Sequence, residues 1–225
     1  MGALALVVVA TGATAQVGHL PESSPYRDLE TRQEVTFFGG HYAAGKDAIG
    51  IAPQGGPMFG LRYQIHVGGP AFLAARWARI NTERFAIDPT KIGAAQQLGK
   101  RNVSVNLYDV DLALNLTGQK SFHHIIPVIN LGAGIASCGC SVQSDPYTFG
   151  TPFAFSFGGG LRFVPGGRFQ LSVDWNDYLY QLKYPTAYFV IPIGGTAAAV
   201  PGDQARSFWK NNRALTVGAS LLFFR

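Results

Sequence analysis

The chain has 225 residues, of which 47% are hydrophobic, 12% aromatic and 14% charged; an average soluble domain carries about 25% charged residues. The net charge of +5 comes from Lys and Arg scattered along the sequence rather than gathered on one stretch, which argues against a nucleic-acid-binding protein. The mean hydropathy is slightly positive, yet no run approaches the roughly 20 apolar residues of a membrane-crossing helix.

At the N-terminus, residues 3–10 are apolar, and Ala13-Thr14-Ala15 fits a small-x-small cleavage pattern. Residues 1–15 are therefore expected to be a signal peptide, although no Lys or Arg precedes the apolar run. Residues 16–33 carry Pro21, Ser23, Ser24, Pro25 and several charges, and read as an irregular periplasmic segment.

From residue 34 the dominant signal is a period of two. Phe153, Phe155, Phe157, Gly159, Leu161 and Phe163 alternate with Ala154, Ser156, Gly158, Gly160 and Arg162. Leu215, Val217, Ala219, Leu221 and Phe223 alternate in the same way with Thr216, Gly218 and Ser220. Such alternation means a strand with two unlike faces. Eight strands are expected, at about 34–43, 57–66, 70–80, 104–116, 125–137, 153–163, 167–178 and 213–224. The connections at 67–69, 117–124 and 164–166 are short; those at about 44–56, 81–103, 138–152 and 179–212 are long.

Strict alternation of short and long connections puts all long loops of an antiparallel barrel at one end. Outer-membrane barrels have that asymmetry, with long loops outside and short turns in the periplasm. A soluble barrel would hide its large apolar residues. Here one strand face carries Phe59, Leu61, Tyr63 and Ile65, and the other Met58, Gly60, Arg62, Gln64 and His66. A polar interior and an apolar exterior fit better. The expected fold is all-β: an eight-stranded antiparallel up-and-down transmembrane β-barrel over 34–225, in the bacterial outer membrane.

On these features the chain resembles the small bacterial outer-membrane β-barrel proteins, the OmpA-like, OmpX-like and opacity-type group. The resemblance covers nearly all of 34–225 and is architectural. It implies that Leu215, Val217, Leu221 and Phe223 form the C-terminal signal read by the barrel-assembly machinery, and that lipid surrounds the wall. The chain departs from the pattern by ending Phe223-Phe224-Arg225.

Alternation sends Arg62, Arg76, Asp109, Asp111, Asn115, Arg162, Asp174 and Asn176 inward. Glu34 belongs with them if Phe37 rather than Phe38 faces lipid. Buried charges must be paired, so Arg62, Arg76 and Arg162 are expected to balance Asp109, Asp111 and Asp174 in a filled, salt-bridged lumen; a narrow or gated pore is the alternative. Gly132, Gly134, Gly158, Gly159 and Gly160 lack the helix and Lys of a phosphate-binding loop and read as space for bulky inward neighbours. Trp77, Tyr108, Trp175, Tyr178 and Tyr180 read as an interface girdle, and Tyr184, Tyr188 and Trp209 as loop aromatics open to carbohydrate stacking. Residues 186–193 and 196–200 are expected to pair as a hairpin across Gly194-Gly195.

Cys138-Gly139-Cys140 admits a small-ring disulfide or two free thiols; a metal site would need further ligands. Hydrolysis of a lipid would need Ser, His and a carboxylate together. No His has a Ser two residues later, and only His41 sits near the outer rim. No catalytic residue, cofactor or metal site is assigned. The expected function is structural and surface-presenting. A narrow channel for small solutes or hydrophobic compounds is one alternative, and a lipid A-modifying enzyme a second. The oligomeric state is not encoded legibly.

Overall fold

The computed structural model describes residues 24–29, 31–47 and 49–223. The expected signal peptide, residues 1–15, and Phe224-Arg225 lie outside the described residues. In chain order the strands are β1 (Tyr26–Asp28), β2 (Gln33–Ala43), β3 (Gly56–Gly68), β4 (Ala71–Ile87), β5 (Gln97–Asn115), β6 (Lys120–Phe122), β7 (Ile125–Cys138), β8 (Phe153–Gly166), β9 (Phe169–Lys183) and β10 (Ser207–Phe223). The eight long strands pair antiparallel in the cyclic order β2-β3-β4-β5-β7-β8-β9-β10, and β10 returns to β2. Closure leaves the wall without a free edge, which satisfies the backbone in lipid.

The register fixes the barrel's shape. Gln33 faces Ile65, then Leu73, Leu112, Leu131, Phe157, Asp177 and Arg213 in turn. Arg213 in turn faces Ala43, so one circuit of the wall climbs ten residues along β2. A stagger of that size in eight strands requires a tilt of about 35–45°.

The two faces divide as alternation predicts. Outside lie Phe37, Leu131 and Phe169, each about two-thirds exposed, with Leu61, Val110, Phe155, Val173 and Val217. Inside lie Arg62, Arg76, Asp109, Asp111, Arg162 and Asp174, all buried. Phe38 and Glu34 also turn inward while Phe37 turns out, which settles the register of β2.

Several strands run further than the expected bounds. β4 and β5 continue pairing from Asn81–Ser104 to Ile87–Gln97, so most of the expected 81–103 loop is a hairpin standing above the wall. β9 and β10 likewise extend to the pair Lys183–Ser207. The one expected hairpin, 186–193 with 196–200, does not form. Thr186–Phe189 is a short 3-10 turn, and one backbone bond, Val200 N–H to Tyr188 O at 2.9 Å, links the two stretches. Pro185, Pro192 and Pro201 fix φ and remove donors from any ladder there. The segment read as irregular, 16–33, contains β1, which pairs with β6 as a flap below the barrel.

Candidate functional site

The lumen is built in layers. At the short-turn end, Phe72, Ala113, Ile126 and Val128 close the bore, with Leu29 and Val164 packed against them. Each follows from the inward parity of its strand.

The next layer is ionic and falls into two groups. Arg76 spans two carboxylates, with Nε 2.9 Å from Asp109 and Nη2 2.9 Å from Asp111. Ser156 donates to Asp111 at 2.6 Å, and the Arg76 guanidinium lies 5.3 Å from the Tyr178 ring centroid. In the second group Arg62 lies 3.2 Å from Asp174 and 3.6 Å from Glu34, and Arg162 lies 4.0 Å from Glu34. Gln64 accepts from Arg162 and Gln170 donates to Glu34, each at 2.9 Å. All six charged residues expected in the lumen thus come together, with Glu34 as a seventh. Charges taken out of water remain tolerable only when paired and hydrogen-bonded. The void left among Arg62, Arg76, Asp111, Asn130, Arg162 and Asp174 is about 10 Å³, near the minimum for one water.

Three inward glycines make this density possible. A Cβ at Gly132 would overlap the Asp111 carboxylate, one at Gly158 the Asn176 amide oxygen, and one at Gly160 the Asp174 carboxylate. Gly159 faces the opposite way, toward the backbone of Val128, so the expectation that it makes room in the lumen does not hold.

Above the charges the bore is apolar. Tyr42, Met58, Ile80, Val105, Leu107, Tyr178, Tyr180 and Leu182 are buried together, and the hydroxyls of Tyr42 and Tyr180 meet at 2.9 Å. This corrects the girdle reading for Tyr178 and Tyr180, which share the inward parity of Asp174. Trp77, Tyr108 and Trp175 do face outward, and the Trp175 indole donates to Asp177 at 3.1 Å.

The long-loop end is capped by four segments. Arg84, fully buried, donates from Nε to Cys140 O at 2.9 Å and from Nη1 to Asp145 Oδ2 at 2.8 Å. Its guanidinium lies 4.7 Å from the Tyr147 ring centroid. Tyr188 donates to the other Asp145 oxygen, and the backbone N–H groups of Ile87 and Tyr147 also bind that carboxylate. Burial raises the pKa values of Tyr147 and Tyr188 above the ordinary tyrosine range. The first long loop is held by Lys210, whose Nζ donates to Pro53 O at 2.7 Å, and by Asn212, which accepts from Gly45 N–H at 3.1 Å. Tyr184 and Tyr188 are buried in this cap rather than open for stacking, while Trp209 is exposed. The Cys138 and Cys140 sulfurs are joined at the base of the third loop.

Asp145 lies in a loop and carries no periodic mark. A charge on the inward parity of an overlong strand is the one signal available for Arg84 and Lys210.

Two of the described histidines are hydrogen-bonded to backbone carbonyls. His66 bonds Gly69 O and His124 bonds Val164 O, each at 2.9 Å; among the described residues no His is hydrogen-bonded or ion-paired to a Ser or a carboxylate. No cluster of three metal-ligating side chains occurs among the described residues. The walls, layers and alternating loops define the class: an eight-stranded transmembrane barrel with an inverted polarity.

No family model matches the chain, and no curated protein matches it in sequence. Solved structures do share its fold. Neisserial surface protein A (NspA) superposes with a TM-score of 0.53 at 8% identity, over 85% of this chain and 97% of that one. The outer membrane protein AlkL, solved in lipid bilayers, gives 0.51 at 15% identity, over 92% and 97%. A major outer membrane protein from Thermus thermophilus is more distant, at 0.43 and 10% identity over 86% and 99%. The fold is that of the small bacterial outer-membrane barrels.

Proposed function

We propose that this protein is a non-enzymatic, structural and surface-presenting barrel of the bacterial outer membrane. The observation that carries the reading is a lumen filled from end to end: an apolar plug, an ionic layer, an aromatic layer and a cap. Such a bore leaves the wall and the outer loops as the functional surfaces. The wall meets outer-membrane lipid, with its short turns in the periplasm and the β4–β5 and β9–β10 extensions outside. Leu215, Val217 and Leu221 on β10 face outward, where the barrel-assembly machinery would read them together with Phe223. The test is conductance of the refolded protein in a planar bilayer; stable open channels would overturn the reading.

A second reading has one observation in its favour. The aromatic layer under the cap is apolar enough to pass a small hydrophobic compound if the cap opened. Uptake of such a compound into proteoliposomes, without ion conductance, would select it.

A further inference from the structure

We propose that the β1–β6 flap docks on phospholipid of the periplasmic leaflet and anchors the N-terminal segment there. The inference rests on the outer-membrane reading above, and it starts from register. β6 turns into β7 through His123-His124, both with positive φ (48° and 66°), a two-residue turn that keeps Phe122 directly opposite Ile125. Ile125 faces Phe163 on its other side, and Phe122 faces Tyr26. Directly opposed residues project from the same face of a sheet. Phe163, Ile125, Phe122 and Tyr26 therefore form one row, and its first two members belong to the lipid-facing wall.

All four are exposed, at 44%, 42%, 44% and 50%. The Tyr26 and Phe122 rings lie 5.3 Å apart, and His123 packs edge-on against Phe122 at 4.5 Å. The next pair on this face is charged: Lys120 lies 3.7 Å from Asp28, both exposed. Aromatic rings beside charges, one strand-width beyond an apolar belt, suit the headgroup region.

The other face turns toward the short-turn mouth of the barrel. Ser121 is buried and donates to Arg27 O at 3.4 Å, and Leu29 packs into the plug. Backbone bonds from Leu29 N–H to Gln119 O and His123 N–H to Pro25 O, at 2.8 and 2.9 Å, extend the β1–β6 ladder at its two ends, and a bond from Val164 N–H to His124 O, at 2.8 Å, ties the flap's turn to β8 of the wall. Its aromatic face is thus aimed in the direction of the wall's lipid face. Continuity with that wall favours lipid over a second copy of the chain.

The test is nitroxide labelling of Tyr26→Cys, Arg27→Cys, Phe122→Cys and Phe163→Cys in the disulfide-intact protein, each folded variant in phosphatidylethanolamine–phosphatidylglycerol vesicles. Collisions with oxygen and with a water-soluble nickel chelate report depth. Oxygen should dominate at 163, with shallower but lipid-side values at 26 and 122, and water-side values at 27. A lipid value at 163 with water values at 26 and 122 would overturn the flap proposal alone. A water value at 163 would overturn the barrel reading itself. Spin–spin broadening between labels at 26 would assign the face to a second copy instead.

Discussion

Arg84 and Asp145, 61 positions apart in sequence, meet at 2.8 Å with both side chains wholly buried. One comes from the top of β4 and the other from the loop between β7 and β8. Tyr188, from the loop between β9 and β10, closes on the same carboxylate. Three outer loops are therefore tied to a single acid.

Replacing that acid should unfasten the cap without dissolving the wall. Asp145→Asn leaves Arg84 buried without its counter-charge, a loss worth about 3–5 kcal/mol in comparable buried pairs. The expected result is faster proteolysis within 139–152 and 184–206 in the folded barrel. Unchanged cleavage would show that the loops are held by other contacts.

The ionic layer should behave differently. Arg76→Met removes the cation shared by Asp109 and Asp111, and strands two carboxylates inside the wall. The barrel as a whole should lose about 3–5 kcal/mol, read as a lower urea midpoint in detergent. Combining Arg76→Met with Asp109→Leu and Asp111→Leu should recover much of that loss, because an apolar replacement of a buried ion group carries no unpaired charge.

Gly160→Leu tests the packing of the same layer. The new side chain would enter the space of the Asp174 carboxylate. Overpacking of this kind costs typically 1–3 kcal/mol, and the loss should appear as a lower urea midpoint. Gly159→Ala, directed toward the Val128 backbone on the outer side, is the comparison and should perturb Arg62–Asp174 less.

The cap should also weaken in alkali. Burial raises the pKa of Tyr147, and burial with the Asp145 hydrogen bond raises that of Tyr188. A group whose folded pKa lies above its unfolded value stabilises fully below the unfolded pKa, about 10 for tyrosine, and that contribution is lost as pH rises through the folded value. Cap stability should thus be constant below about pH 10 and fall above it. Tyrosinate absorbance should show these two hydroxyls ionising only as the loops become protease-sensitive. Early ionisation would contradict their burial.

Closure of the wall predicts detergent resistance. Unboiled protein should migrate apart from boiled protein on an SDS gel, because every long strand is hydrogen-bonded on both sides.

Much of this molecule is legible along the chain. Phe153 to Phe163 and Leu215 to Phe223 announce strands, and the parity of Arg62, Asp109 and Asp174 places them in the bore. Tyr178 and Tyr180 have that same parity; read as girdle residues by their aromatic type, they are inward by their position. Parity was the stronger guide, since a strand cannot turn one side chain without turning its neighbours.

The cap was not legible. Tyr184 and Tyr188 look like exposed loop aromatics, and 186–200 looks like a hairpin, because each is judged by neighbours in sequence. Tyr188 is buried against Asp145, an acid from a different loop, and Tyr184 is stacked on Phe208 of β10. The sequence by itself determined the wall, since a period of two records which side of each strand meets lipid. Only the tertiary structure decided how Arg76 divides between Asp109 and Asp111 and how the loops seal the mouth. Those contacts join residues distant in the chain, and their geometry exists only once strand tilt and register have set the width of the bore.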